Sequence, residues 1–147
     1  MGIRIVKLAI FGSNILLGNL LMVLLLTITG QSSYADDGII VSASRENNVI
    51  SFNVSNADDS PAIYGFIVTT YSEKHYSKIA DTPLGWTAGT IKYRAIMWMT
   101  ENYPIRGGTT EDRFAMEVKQ QGQYIVGWSV IDEKSQPIAW GTIIIDG

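Results

Sequence analysis

The feature that most constrains this chain is a rhythm: from Gly38 onward apolar residues recur at every second position in short blocks, each closed by turn-forming residues. Successive side chains of a strand point to opposite faces, so period two with one apolar set describes a strand that buries one side. No window of about 11 residues in this stretch keeps a clean 3.6-residue period. The expectation is therefore an all-β domain. Ile39 to Ser44 reads as a first strand, Arg45 to Asn48 as a polar turn, and Val49 to Ser55 as a second strand with Ile50, Phe52 and Val54 inward. A turn at Asn56 to Pro61 leads to Ile63–Tyr71, apolar on both faces as a central strand would be. Residues 72 to 89 are polar and punctuated by Pro83, Gly85 and Gly89, which predicts a long connection with at most a short edge strand near Lys78 to Ala80. Thr90 to Thr100 reads as one strand, and Asn102 to Gly108 as a tight turn. Phe114, Met116 and Val118 mark the next strand, Tyr124 to Ile131 another, and Ile138 to Ile145 the last, after a hairpin loop at Asp132 to Gln136.

Seven to eight short strands in about 110 residues bury one face each most simply as two antiparallel sheets packed into a sandwich. The long connection at 72 to 89 favours a Greek-key sandwich over an up-and-down barrel.

Ahead of this domain, Arg4 and Lys7 are followed by an uncharged stretch from Leu8 to Ala35, with Leu20 to Leu26 at its centre. Such a stretch is an N-terminal hydrophobic helix, and Ser33-Tyr34-Ala35 puts small residues where a signal peptidase reads them. Cleavage after Ala35 is the expectation, leaving residues 36 to 147 as a single domain. The alternative is an uncleaved anchor through residues 8 to 28, long enough to span a bilayer. Polar Ser13, Asn14 and Asn19 shorten the apolar heart and favour the signal peptide. Either way the domain lies outside the cytoplasm, secreted or at the cell envelope, because the basic residues stay inside.

Arg4 and Lys7 are the only charges before Asp36, so the remainder carries nine basic and fourteen acidic residues, net −5. A mildly acidic domain lacks the phosphate attraction on which nucleic-acid binding rests. The absence of cysteine removes disulfides, thiolate metal sites and a cysteine nucleophile, and a single histidine, His75, leaves little for a metal or catalytic centre. No cofactor is implied.

The order Gly85-Trp86, then Met97-Trp98-Met99-Thr100, then Asn102-Tyr103-Pro104-Ile105-Arg106-Gly107-Gly108 resembles a loose group of immunoglobulin- or fibronectin-type-III-like modules of exported bacterial and archaeal proteins. In that group a Gly-Trp is followed by a strand ending in Trp-x-Thr, an Asn-Pro-Ile turn with glycine, and an alternating strand. The match spans roughly residues 50 to 130, and Tyr103 interrupts its Asn-Pro-Ile. The resemblance implies an extracytoplasmic β-sandwich, often an accessory or surface-display module, and transfers no catalytic residue.

Paired carboxylates at Asp36-Asp37, Asp58-Asp59, Glu111-Asp112 and Asp132-Glu133 could serve a glycosidase only if two from different loops converged. Their ordinary role is solvated turn charge. Calcium at Asn56 to Ser60 does not fit a known loop spacing. His75 could be a general base, or a copper ligand with Met97, Met99 or Met116, against the plainer reading of an exposed loop histidine. Met97 and Met99 share a strand face with Tyr93 and Ala95, which reads as core packing. Asn53-Val54-Ser55 is a glycosylation sequon that matters only if Asn53 faces solvent. Aromatics are the better lead: Trp98, Trp128 and Trp140 lie in strands and read as core filler, whereas Tyr71, Tyr76, Trp86 and Tyr103 lie in or beside loops and are the candidate binding residues. Three functions follow as expectations: a non-enzymatic module meeting a protein partner or serving as a structural component, a carbohydrate-binding module using the loop aromatics on a surface glycan, and a small extracytoplasmic hydrolase.

Overall fold

The computed structural model describes residues 38–71, 77–92, 94–119 and 122–146. The expected leader with its cleavage point at Ala35, and also His75, Tyr76 and Tyr93, lie outside them. Nine strands follow in order: β1 (Ile39–Glu46), β2 (Val49–Asn56), β3 (Gly65–Thr70), β4 (Ser77–Asp81), β5 (Thr87–Ile91), β6 (Ala95–Met99), β7 (Thr110–Val118), β8 (Tyr124–Ile131) and β9 (Pro137–Ile145). They form two antiparallel sheets, β1-β2-β7-β4 and β5-β6-β3-β8-β9. The all-β expectation holds, and β3 is the middle strand of its sheet, as its two apolar faces required.

Two expectations need correction. The single strand expected over Thr90 to Thr100 is a hairpin: Ile91 pairs with Ala95, and Arg94 N donates to Ile91 O at 3.0 Å. No glycine, proline or asparagine marks the reversal. Lys92 instead adopts φ 47°, the left-handed region that a lysine enters rarely. In the connection over 72 to 89, β4 is the short edge strand expected near Lys78 to Ala80 and pairs with β7, whereas β5, paired with β6, is a second strand that was not expected there.

One core lies between the sheets. Ile50, Phe52 and Val54 of β2 point inward as the alternation predicted, facing Phe66 and Val68 of β3 and Ile96 and Trp98 of β6. At its centre Phe114 of β7 meets three rings, with centroids 5.0 Å from Phe66, 5.1 Å from Trp86 and 5.5 Å from Trp98. Aromatic pairs at such separations add about 0.5–1.5 kcal/mol each beyond the area they bury.

One end of the sandwich is held by a buried amide. Asn56, 3% exposed, donates from Nδ2 to Pro61 O at 2.9 Å and Ile105 O at 3.1 Å. Its backbone N donates to Thr109 O, and its carbonyl accepts from Gly108 N. The loop after β2 and the loop before β7 are thus tied to one side chain.

Candidate functional site

The strand registers decide what each sheet shows to solvent. In β6, Ile96 and Trp98 enter the core, so Ala95, Met97 and Met99 face out. This overturns the reading of the two methionines as core packing. Following the pairings outward from the middle strand gives two lateral rows on the outer face of the five-stranded sheet. One runs Gly89, Met97, Ile67, Ser129, Trp140; the other runs Ile91, Ala95, Thr69, Gly127, Thr142. Trp140 is 68% exposed, so the expectation that it fills the core fails. It sits on an edge strand and points away from Ala139 and Ile143, which enter the core. Ile125 and Ile144, a cross-strand pair on the same face, are also exposed.

Tyr71, one of the candidate binding residues, belongs to this face. Its ring is 68% exposed, and its hydroxyl lies 2.8 Å from where a Cβ on Gly127 would stand. Gly127 leaves the space into which the ring settles.

No strand of this sheet contains a charged residue. The contrast with the other sheet is sharp. There, Arg45 and Glu46 lie on β1, Lys78 and Asp81 on β4, and Glu111, Asp112, Arg113 and Glu117 on β7. Its outer face carries Ser42, Ser44, Ser51 and Asn53, with Asp112 nearby, around a shallow depression of about 360 Å³. Asn53 is half-buried on that outer face, and Ser55 Oγ donates to its Oδ1 at 3.4 Å. Asp81 and Arg113 form an ion pair at 3.2 Å. The backbone N–H of Thr82, then the Arg113 side chain, hold the Asp81 carboxyl below its ordinary range.

The other candidates separate. Trp86 is 7% exposed, with its ring set edge-on against Phe114, so it presents no open face for stacking. Proximity to Pro83 and Gly85 made it look like a loop aromatic, yet the loop folds it inward. Tyr103 is 62% exposed and rests against Gly85, whose φ of 79° and missing Cβ admit the ring. Thr100 fixes this corner: its Oγ1 donates to Gly85 O at 2.9 Å and accepts from Tyr103 N at 3.1 Å. Beside it, Gly85, Thr87, Met99, Thr100, Glu101 and Asn102 line a shallow cleft of about 430 Å³.

The structure therefore brings Tyr71 together with Trp140 on one sheet face and leaves Tyr103 at the loop end. Trp140, Ile125, Ile144 and Met97 were missed as surface residues. The signal available for them was the absence of charge from every segment that became β3, β5, β6, β8 or β9. Among the described residues, no three histidine, aspartate or glutamate side chains gather as a metal site would need. No protein-family model, curated protein or solved structure matches the chain.

Proposed function

We propose that this is an exported, non-enzymatic module with an immunoglobulin-like sandwich, working by protein-protein contact at the cell envelope or beyond, with the outer face of its five-stranded sheet as the contact surface. One observation carries the reading: a five-stranded sheet without a charge in its strands shows Trp140, Tyr71, Ile91, Ile125 and Ile144 to solvent. Burying a large apolar side chain contributes roughly 1.5–3 kcal/mol, so these side chains hold several kcal/mol that the lone chain does not use. Contiguous apolar patches on a soluble domain mark interaction sites, and exposed tryptophan and tyrosine are the residues most enriched at binding hot spots.

The test is a photocrosslinking amino acid placed at Trp140 or, on the opposite sheet, at Ser51, in the protein expressed from the full chain in its own cells. Adducts with protein from position 140 and none from position 51 are the expected result. Equal yields from both positions, or none from either, would overturn the reading.

A second reading rests on the loop end. Sugars present apolar C–H faces to aromatic rings and hydroxyls to carboxylates and amides, and Tyr103 lies against Gly85, which lines the cleft with Thr87, Glu101 and Asn102. Under this reading Tyr103→Ala removes a glycan-induced change in tryptophan fluorescence. No response across a glycan panel excludes it.

A further inference from the structure

The relief of the apolar face is lopsided. In the first row the most exposed large side chain, Trp140, stands at the β9 end. At the β5 end Gly89 has nothing within 4 Å of where its Cβ would be. In the second row Tyr71 lies over Gly127 of β8, while β6 offers only Ala95. Across β3 the rows set large against small: Trp140 against Gly89 and Met97 against Ser129 in the first, Ile91 against Thr142 and Tyr71 against Ala95 in the second.

A two-fold axis along β3, in the plane of the face, would bring β9 of one copy over β5 of another and β8 over β6. Large then meets small along both rows, Trp140 over Gly89, Met97 over Ser129, Ile91 over Thr142 and Tyr71 over Ala95, while Ile67 on the axis meets its own copy. An isologous contact uses the same patch on both copies. Because the strands carry no charge, two acidic chains meet here without opposing like charges. The size suits a weak, reversible contact. Five strands at about 4.8 Å, by an average length of about 22 Å, give a footprint of roughly 500 Å². Counted on both partners this is about 1,000 Å², below the roughly 1,600 Å² of a standard interface and in the range of weak contacts that form at high concentration.

We infer that the partner of this face is a second copy of the same chain, with Trp140 of each copy seated in the Gly89 hollow of the other. This inference rests on the contact-surface reading above.

Sedimentation of the protein expressed from the full chain, over micromolar to millimolar concentration, tests it. A reversible dimer is expected. Trp140→Ala removes the knob and Gly89→Phe fills the hollow, and each raises the dissociation constant roughly thirty-fold, equivalent to about 2 kcal/mol. Gly89→Phe meets no neighbour within its own chain, so circular dichroism should show an unchanged fold. A second arm uses the absence of native cysteine. Facing sheets stand about 10 Å apart, too far for a disulfide, so a short bis-maleimide is applied to Ile91→Cys, Thr142→Cys and the double variant. The two-fold sets Ile91 over Thr142 but like residues about 20 Å apart across the sheet. The double variant should therefore link, and neither single variant should. A monomer at every concentration, a dimer indifferent to both substitutions, or single cysteines that link as readily as the pair would refute the inference. If it fails while the crosslinker at Trp140 captures a different protein, the contact surface stands and only the second copy is lost; no adduct at Trp140 removes both.

Discussion

Asn56 offers the most discriminating test of how the sandwich is held together. In Asn56→Ala, Pro61 O loses its Nδ2 donor, whereas Ile105 O keeps a bond from Ile63 N. Pro61 is an exposed residue and its bond is only part-buried, so each of the two lost bonds counts for about 0.5–1.5 kcal/mol, while the buried Asn56 Oδ1, which has no hydrogen-bond partner, takes its own desolvation cost away with it. The expected loss is thus about 2 kcal/mol, still a sizeable share of the roughly 5–15 kcal/mol that stabilises a domain. It corresponds to a fall in Tm on the order of 10 °C. Asn56→Asp separates the hydrogen-bond argument from simple packing. At neutral pH it sets a carboxylate against two carbonyl oxygens in a site 3% exposed, so its folded-state pKa rises above the unfolded value near 3.9. The folded state then binds the proton more tightly. Its penalty is smallest below about pH 4, where the neutral acid can donate, and grows as pH rises. Urea unfolding followed by tryptophan fluorescence at several pH values measures both variants, with Asn53→Ala on the outer face as the control expected to stay within about 0.5 kcal/mol. A loss below about 1 kcal/mol in Asn56→Ala at unchanged m-value, or an Asn56→Asp penalty that ignores pH, would refute the reasoning.

Three further outcomes follow from the core and the loop end. Phe114→Ala removes the ring shared by Phe66, Trp86 and Trp98 and should cost about 3–5 kcal/mol, measured by chemical denaturation. Gly85→Ala puts a Cβ into the Tyr103 ring at a φ of 79°, so calorimetry should show at least about 1 kcal/mol of destabilisation, and Tyr103→Ala should relieve the steric part of it. The Asp81 carboxyl is held below its ordinary range, so the ion pair with Arg113 contributes above the unfolded pKa and is lost as pH falls through the folded one. Asp81→Asn should therefore differ from the parent chain at neutral pH and match it in strong acid, by a small margin because both side chains are exposed; an equal difference at both pH values would assign the effect to something other than this carboxylate.

Strands that bury one face were legible because alternation is a direct consequence of the pleat. Ile50, Phe52 and Val54, and likewise Tyr124, Val126, Trp128 and Val130, lie where period two placed them. The β5–β6 hairpin was not legible, since its turn relies on a lysine in the left-handed region, a conformation that tertiary pairing imposes and composition does not announce. Trp86 misled for the opposite reason. Its neighbours Pro83 and Gly85 speak for a loop, and the direction of a loop side chain is set by what lies beneath it, here Phe114. The outward turn of Met97 and Met99 follows from the same hairpin. Once β6 begins at Ala95 and pairs with β3, Ile96 and Trp98 take the core and the methionines take the surface. Alternation alone cannot choose between two apolar sets in one strand.

The distribution of charge is harder to explain as a by-product of folding. Interior strands of a sheet are expected to be the more apolar ones, and that accounts for β6, β3 and β8. It does not account for β5 and β9, which are edges, where charged side chains ordinarily discourage association. The other sheet follows that convention: β1 ends in Arg45 and Glu46, and β4 carries Lys78 and Asp81. Within one molecule, then, two edges are defended and two are not, and the undefended pair bounds the face on which Trp140 and Tyr71 stand exposed. Solubility would favour charge at Ile125, Ile144 or Ile91, each already open to water. Nor is that face a uniform apolar smear, since the rows mix Gly89, Ala95, Gly127, Ser129 and two threonines with Met97, Ile67, Ile91 and Trp140. Under the proposed contact, neutrality at both edges would let the fit extend across all five strands.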